Sequence, residues 1–419
     1  MNVTITPAAL RGTVRPPASK SQAHRLLIAA ALADGESRLL GMAHSQDIGA
    51  TVGCLTQLGA RFYHRDGALF VTGMAAAPGC RKGLSPVFDC GESGSTLRFL
   101  IPAALVLAEN GRFVGRGRLP RRPQKPYADL FAARGIDWVQ DDAGLSVCGC
   151  LTSGDFALPG DVSSQFFTGL LFALPLLHGD STLCSTTPLQ SADYVTMTLD
   201  ALSRAGVLPV QIGENRWHIP GGCRYRPFEA EAEADWSQAA FWYAARSAGC
   251  PVEVTGMNPD SAQGDRTILE WLEQMRDAGT VTIDLSACPD LLPPAAAAAA
   301  LRQKGAVTRF ENAARLRLKE SDRLSTVAAA LSAMGCEVQE EPAALTVVGA
   351  KTLAGGCTVD SAGDHRIAMM AAVAACGCER PVTVRGAECV AKSYPDFLQI
   401  YERLGGILAR AEGEPSCAI

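Results

Sequence analysis

The chain of 419 residues contains no stretch of about 18 consecutive apolar residues free of charges or breakers, the length a membrane-spanning helix requires. Its opening MNVTITPAALRG has no basic segment leading into an apolar one, so no secretory signal is expected. Paired C-x-x-C spacing is missing, and the fifteen cysteines are odd in number and irregularly placed. They read as small buried hydrophobes rather than a disulfide framework. Neither GxxxxGK[ST] nor a GxGxxG at a strand-to-helix junction occurs, which weighs against nucleotide binding. Positive charge is not in excess: a formal net charge of −5 argues against a nucleic-acid partner. Charged residues make up only 19% and hydrophobic ones 47%, so a well-packed cytoplasmic protein is expected, and any anion must be held by a local cluster. The length exceeds one typical core and suggests two or three domains.

What is present is one unit written about six times. An amphipathic helix that ends in a small residue and Gly runs at once into a β-rich stretch. It recurs as TVGCLTQLGARFYHRDGALFVTG, YADLFAARGIDWVQDDAGLSVCG, YVTMTLDALSRAGVLPVQIGENRWHIPG, ILEWLEQMRDAGTVTIDL, LSTVAAALSAMGCEVQEEPAALTVVG and, in part, FLQIYERLGGILAR. The helix-ending glycines are Gly59, Gly135, Gly206, Gly279, Gly335 and Gly405, successive members lying 56 to 76 residues apart, too far for an ordinary solenoid. Glycine suits a left-handed cap, and the text after it, as in DWVQDDAGLSV, alternates like a hairpin. Two groups of three follow from two candidate crossings: the stiff pair Pro16 and Pro17, and the acidic run RPFEAEAEADWSQAAF. The expected division is residues 1–18 with 235–419 as one lobe and 19–234 as the other, with the site between them.

Chemistry-bearing residues gather where helices should begin. In ASKSQAHRLL, Ser19 reads as an N-cap and Lys20 falls in the first turn, where the helix dipole disfavours a cation unless an anion is held there too. DCGESGSTLRFLIP allows a close backbone approach at Gly94, GRGRLPRRPQKPYADL carries Arg122, and GDVSSQFFTGLL sets Ser163, Ser164 and Gln165 at another helix start. RLRLKESDRLSTVAAAL holds Lys319, Glu320 and Arg323 within one turn, which by itself is also an ordinary ion-pair face. DSAGDHRIAMMAAVAA places Arg366 at the opening of an apolar helix, and VAKSYPDFLQIY places Lys392 before one more. Convergent helix N-termini around anions would look like this.

The ordered set SKSxxxR, GxSGSTxR, RRPxxPY, SSQF, PD, KESDR, DHRxAM and KSYPDF, spanning residues 15 to 400, resembles the EPSP synthase (3-phosphoshikimate 1-carboxyvinyltransferase) family. That resemblance implies an α/β fold of two similar lobes, each of three βαβαββ units in an inside-out α/β barrel, joined by two crossovers. It implies a monomer that transfers enolpyruvate from phosphoenolpyruvate to shikimate 3-phosphate in the shikimate pathway, without metal or organic cofactor, and that glyphosate inhibits in competition with phosphoenolpyruvate. By match to the family motifs, Lys20, Ser21, Arg25, Ser163, Ser164, Gln165, Ser191, Tyr194, Asp290 and Lys319 would hold shikimate 3-phosphate. Lys20, Gly94, Arg122, Gln165, Arg323, Arg366 and Lys392 would hold phosphoenolpyruvate. Asp290 would take the proton of the 5-hydroxyl, and Glu320, with Lys20, would protonate the methylene carbon and later take a proton back. Two departures bear on affinity: Glu92 stands where many members have Asn in NAGT, and Arg315 where many have Asn in NWRVKE.

Two other readings compete. The sister transferase that uses UDP-N-acetylglucosamine typically follows its lysine with Asn and uses a loop cysteine, whereas Ser21 follows Lys20 here and GRGRLPRRPQKP has no cysteine. A noncatalytic anion-binding module would have no need of Asp290 and Glu320, which repel anions.

Overall fold

The computed structural model describes residues 1–277 and 279–411. The chain divides into two compact units, Met1–Pro17 with Ala234–Ile419, and Ala18–Glu233. Each unit has a hydrophobic core of its own.

One sheet plan is repeated. Val87–Asp89 runs parallel to Asn110–Val114, which is antiparallel to Gly144–Cys148, and Asp137–Asp141 forms the outer edge. Asp155–Leu158, Ser181–Ser185, Arg216–Ile219 and Val210–Gly213 repeat it, as do Val281–Asp284, Val307–Glu311, Leu345–Val348 and Glu337–Glu340. In two further sheets a distant segment supplies a strand. Glu229–Glu231 lies parallel to Glu36–Leu40, and Asn2–Thr6 sits between Val382–Arg385 and Ile407–Ala411. The acidic run is therefore partly a strand rather than only a crossing: Glu229 and Glu231 face solvent while Ala230 is buried, the period-two pattern of an edge strand.

The unit around the fourth instance, ILEWLEQMRDAGTVTIDL, is abbreviated. Among the described residues Val252–Val254 pairs only with Gly12–Val14, and the strand after helix Ile268–Gln274, Val281–Asp284, opens the next sheet instead of forming a hairpin.

Between the sheets, each unit buries three helices on nearly every face: Lys20–Leu32, Gly94–Leu107 and Gln165–Ala173 in one, Trp236–Ser247, Leu292–Ala300 and His365–Ala375 in the other. A helix apolar all round belongs inside, and Leu292–Ala300, sequence LPPAAAAAA, is buried at all nine positions. The helices with Gly stops, such as Gln46–Gln57 and Ala192–Arg204, bury one face only. Among the described residues no helix is long and apolar enough to cross a membrane.

Candidate active site

The residues singled out from the sequence fall into two sets, one built by each unit. In the unit Ala18–Glu233, Ser19 caps its helix by accepting from Gln22 N at 3.3 Å, which puts Lys20 at the first helical position. Lys20 Nζ lies 2.7 Å from Asp47 Oδ2, and both side chains are largely buried. Asp47 stands in the first turn of Gln46–Gln57, where the helix dipole favours an acid, so the charge that the dipole disfavours at Lys20 is offset by a neighbouring helix.

Arg25 is buried between neutral groups. Its Nε donates to Thr198 Oγ1 at 2.9 Å, Nη1 to Ser21 O at 2.6 Å and Nη2 to Thr168 Oγ1 at 3.3 Å. Its guanidinium lies 5.1 Å from the Phe99 ring centre and 5.7 Å from that of Tyr194. Burial pushes its pKa down to about 10. One position before it, His24 is enclosed and donates to or accepts from Thr51 Oγ1 at 2.7 Å; burial, with Lys20 and Arg25 nearby, drives its pKa well down and keeps it neutral.

Ser93 caps the helix Gly94–Leu107. Arg122 lies directly over Gly94: a Cβ there would come within 2.7 Å of Arg122 Nη1 and 3.0 Å of its Cζ. The glycine thus makes room for a guanidinium of this chain. The Glu92 carboxylate is packed against Gly117, where a Cβ would meet Oε2 at 2.7 Å.

At the helix Gln165–Ala173, Ser163 Oγ accepts from Gln165 N at 3.3 Å, while Ser164 makes no capping bond. Gln165 Nε2 donates to Ser95 Oγ at 2.9 Å and its Oε1 accepts from Arg98 Nη1 at 2.9 Å. Ser191 precedes Ala192–Arg204 in a left-handed conformation (φ 56°, ψ 46°), an uncommon state for serine, with Tyr194 in the helix's first turn.

In the other unit a single guanidinium organises the set. Arg323, only 1% exposed, begins the helix Arg323–Ala333 and meets three carboxylates. Nη1 donates to Asp290 Oδ1 at 2.7 Å, Nη2 to Glu320 Oε2 at 2.6 Å, and Nε to Asp364 Oδ2 at 2.9 Å. Asp290 also faces Lys319 Nζ at 3.1 Å and Arg366 Nη2 at 3.4 Å, and its backbone oxygen accepts from Arg366 Nη1. Burial would push the Asp290 carboxyl up, but Lys319, Arg366 and Arg323 together hold it well below the usual carboxylate range. Burial lowers Lys319, against the pull of Asp290. Lys392 ends the segment Ala387–Lys392 and donates to Gly363 O at 2.7 Å. Arg315 is anchored on the backbone oxygen of Ser286.

The structure thus brings Asp290, Lys319, Glu320, Arg323 and Arg366 into one cluster, while Lys392 is held on a backbone oxygen. Three residues absent from the list drawn on sequence take part. Arg98 and Asp364 stand inside the motifs GESGSTLR and DHRIAM, next to the residues those motifs point to. Asp47 has no local signal at all; only packing places it beside Lys20.

Residues 5–401 match the family profile of EPSP synthase (3-phosphoshikimate 1-carboxyvinyltransferase). The chain is 40% identical to a 3-phosphoshikimate 1-carboxyvinyltransferase of Clostridium botulinum, over 96% of this chain and 97% of that one. It is 41% identical to the protein of that name from Clostridium kluyveri, with the same coverages. Among solved structures, an EPSP synthase from Acinetobacter baumannii superposes with a TM-score of 0.77, covering 98% of this chain and all of that one; at 23% identity this speaks to the fold.

Proposed function

Because the chain belongs to the EPSP synthase family, we propose that it joins phosphoenolpyruvate to the 5-hydroxyl of shikimate 3-phosphate, releasing 5-enolpyruvylshikimate 3-phosphate and phosphate. The observation that carries the residue-level reading is the arrangement of Asp290 and Glu320 as carboxylates on one buried guanidinium, Arg323, with Lys319 and Arg366 beside them. Addition followed by elimination needs a base for the hydroxyl proton and an acid that later acts as base.

In this reading the 5-hydroxyl oxygen bonds to C2 of the enolpyruvyl group as its proton passes to Asp290, and Glu320 delivers a proton to the methylene carbon. Glu320 then takes a proton back from the new methyl group as the bond from C2 to the phosphate oxygen breaks, and the proton held by Asp290 leaves with the phosphate, so both carboxyl groups return to their starting states. Glu320 must enter the cycle protonated, so anionic substrates that share Arg323 would prepare it. Lys20 and Arg122 would hold the phosphate of phosphoenolpyruvate beside Gly94, and Arg366 and Lys392 its carboxylate. Ser163, Ser164 and Ser191 would hold the 3-phosphate, with Ser21, Arg25, Gln165 and Tyr194 around the ring and its carboxylate.

The family resemblance supports a monomeric catalyst. The described cysteines are free, which suits a reducing cytoplasm. The UDP-N-acetylglucosamine alternative is not favoured by the relatives. Phosphate release measured with each substrate alone and with both tests the proposal: release is expected only with both, and equal release with a UDP-sugar acceptor would overturn it.

A further inference from the structure

Three sequence segments converge on Arg98. The helix Gly94–Leu107 carries it, and its guanidinium lies 4.7 Å from the centre of the Phe166 ring, which belongs to the helix Gln165–Ala173. The single Oη–H of Tyr127 is shared between the backbone oxygens of Phe166 (2.7 Å) and Arg98 (3.1 Å), bridging the two helices. They approach so closely that a Cβ on Gly169 would clash with Arg98 O. The Arg98 side chain is therefore held in a fixed frame rather than free to swing.

From that frame its donors reach two glutamines. Nη1 bonds Gln165 Oε1 at 2.9 Å, Nε bonds Gln124 Oε1 at 3.1 Å, and Nη2 bonds Pro123 O at 3.1 Å. A guanidinium only donates, so each amide must turn its oxygen toward Arg98 and its NH2 away. The NH2 of Gln124 then donates to Arg122 O at 3.3 Å, and Gln140 Nε2 supports the same loop through Pro120 O at 2.9 Å. The NH2 of Gln165 gives one hydrogen to Ser95 Oγ and retains a second.

We propose that Arg98 is a positioning residue that makes Gln165 a hydrogen-bond donor toward the bound substrates and steadies the loop bearing Arg122, so that this part of the site selects ligands rich in acceptor oxygens. The proposal rests on the functional reading above, in which Gln165 and Arg122 meet phosphoenolpyruvate. With its orientation reversed, the Gln165 amide would present an oxygen to an anion and repel it.

The test is a double-mutant cycle on the full chain with Arg98→Lys, Gln165→Ala and the pair, read as kcat and KM for phosphoenolpyruvate. Lysine keeps the charge but cannot span both amide oxygens in a planar fork. Each single change is expected to raise KM about tenfold with a smaller change in kcat, and the double variant to be no worse than the poorer single one. Gln165→Glu needs no change at Arg98: it keeps the acceptor and removes the donors, and is expected to raise KM at least as much as Gln165→Ala. Additive effects in the cycle, or a wild-type KM in Gln165→Glu, would overturn the positioning role in an enzyme that is otherwise active. Wild-type protein that releases no phosphate with both substrates would instead sink the functional reading, and this inference with it.

Discussion

Arg25 in one unit and Arg323 in the other are buried guanidiniums held by opposite means. Around Arg25 the hydrogen-bond partners are two threonine hydroxyls and a backbone oxygen, so the positive charge is solvated but not neutralised. Around Arg323 the partners are three carboxylates. An uncompensated guanidinium is costly to bury, yet it offers its full charge to an incoming anion. A guanidinium ringed by acids offers little net charge, but it orders those acids and ties their protonation to whatever else approaches it. The first arrangement suits holding an anion; the second suits moving protons.

From that contrast, Glu320→Gln should give the largest change. The amide can still accept from Arg323 and can no longer exchange the proton, so turnover should fall about 10²- to 10⁴-fold. Calorimetric titration should find binding of shikimate 3-phosphate retained; loss of binding in step with turnover would make Glu320 a structural residue.

Replacing each central arginine by methionine should shift stability in opposite directions. Arg323→Met removes the guanidinium that Asp290, Glu320 and Asp364 share, leaving Lys319 and Arg366 on Asp290, and is expected to cost about 3–5 kcal/mol. Arg25→Met removes a buried charge without orphaning an acid, and Thr168 and Thr198 can still bond each other at 2.9 Å. That variant should melt no lower than wild type, and it should lose substrate binding. Denaturant unfolding of the two variants decides, and a large loss in both would erase the distinction.

Acid should act on His24 and on the aspartates paired with Arg323 at different pH. His24 is held neutral, its folded pKa below the unfolded value of about 6.5, so the unfolded chain binds more protons and stability falls as pH drops below about 6.5. Asp290 and Asp364 have depressed values, so their contribution is complete above about pH 4 and is lost as pH falls through the folded values. Calorimetric melting from pH 7 to pH 3 should therefore show His24→Asn flattening the slope at the upper end and Asp290→Asn flattening it only at the lower. The same change in both variants would refute the assignment.

Gly94→Ala should have the smallest effect. The added methyl meets the far end of Arg122, which can give way, so the fold should survive while the guanidinium shifts. A severalfold rise in the inhibition constant of glyphosate is expected, with a smaller rise in KM for phosphoenolpyruvate. Equal rises, seen in kinetics at several phosphoenolpyruvate concentrations, would mean that the two ligands lean on Arg122 alike.

Much of this was local enough to read along the chain. Ser19, Ser93 and Asp364 cap helices through bonds to residues two or three positions on, so the turns that carry Lys20, Gly94 and Arg366 are marked by neighbours. The hairpin at Asp137–Cys148 is likewise set by alternation and a short turn. The missing hairpin after Ile268–Gln274 was not legible, because VTIDL alternates equally well as the first strand of the next sheet.

By itself, then, the order of residues determined the repeat, the helix starts and the cations placed on them, because capping and periodicity act over a few positions. Tertiary structure alone decided how each charge is answered. Asp47 reaches Lys20 from 27 residues away and Asp364 reaches Arg323 from 41, Arg122 folds over Gly94, and Arg98 turns two distant amides. Such pairings depend on how separately formed helices pack, and a buried charge takes whichever partner that packing brings within bonding distance.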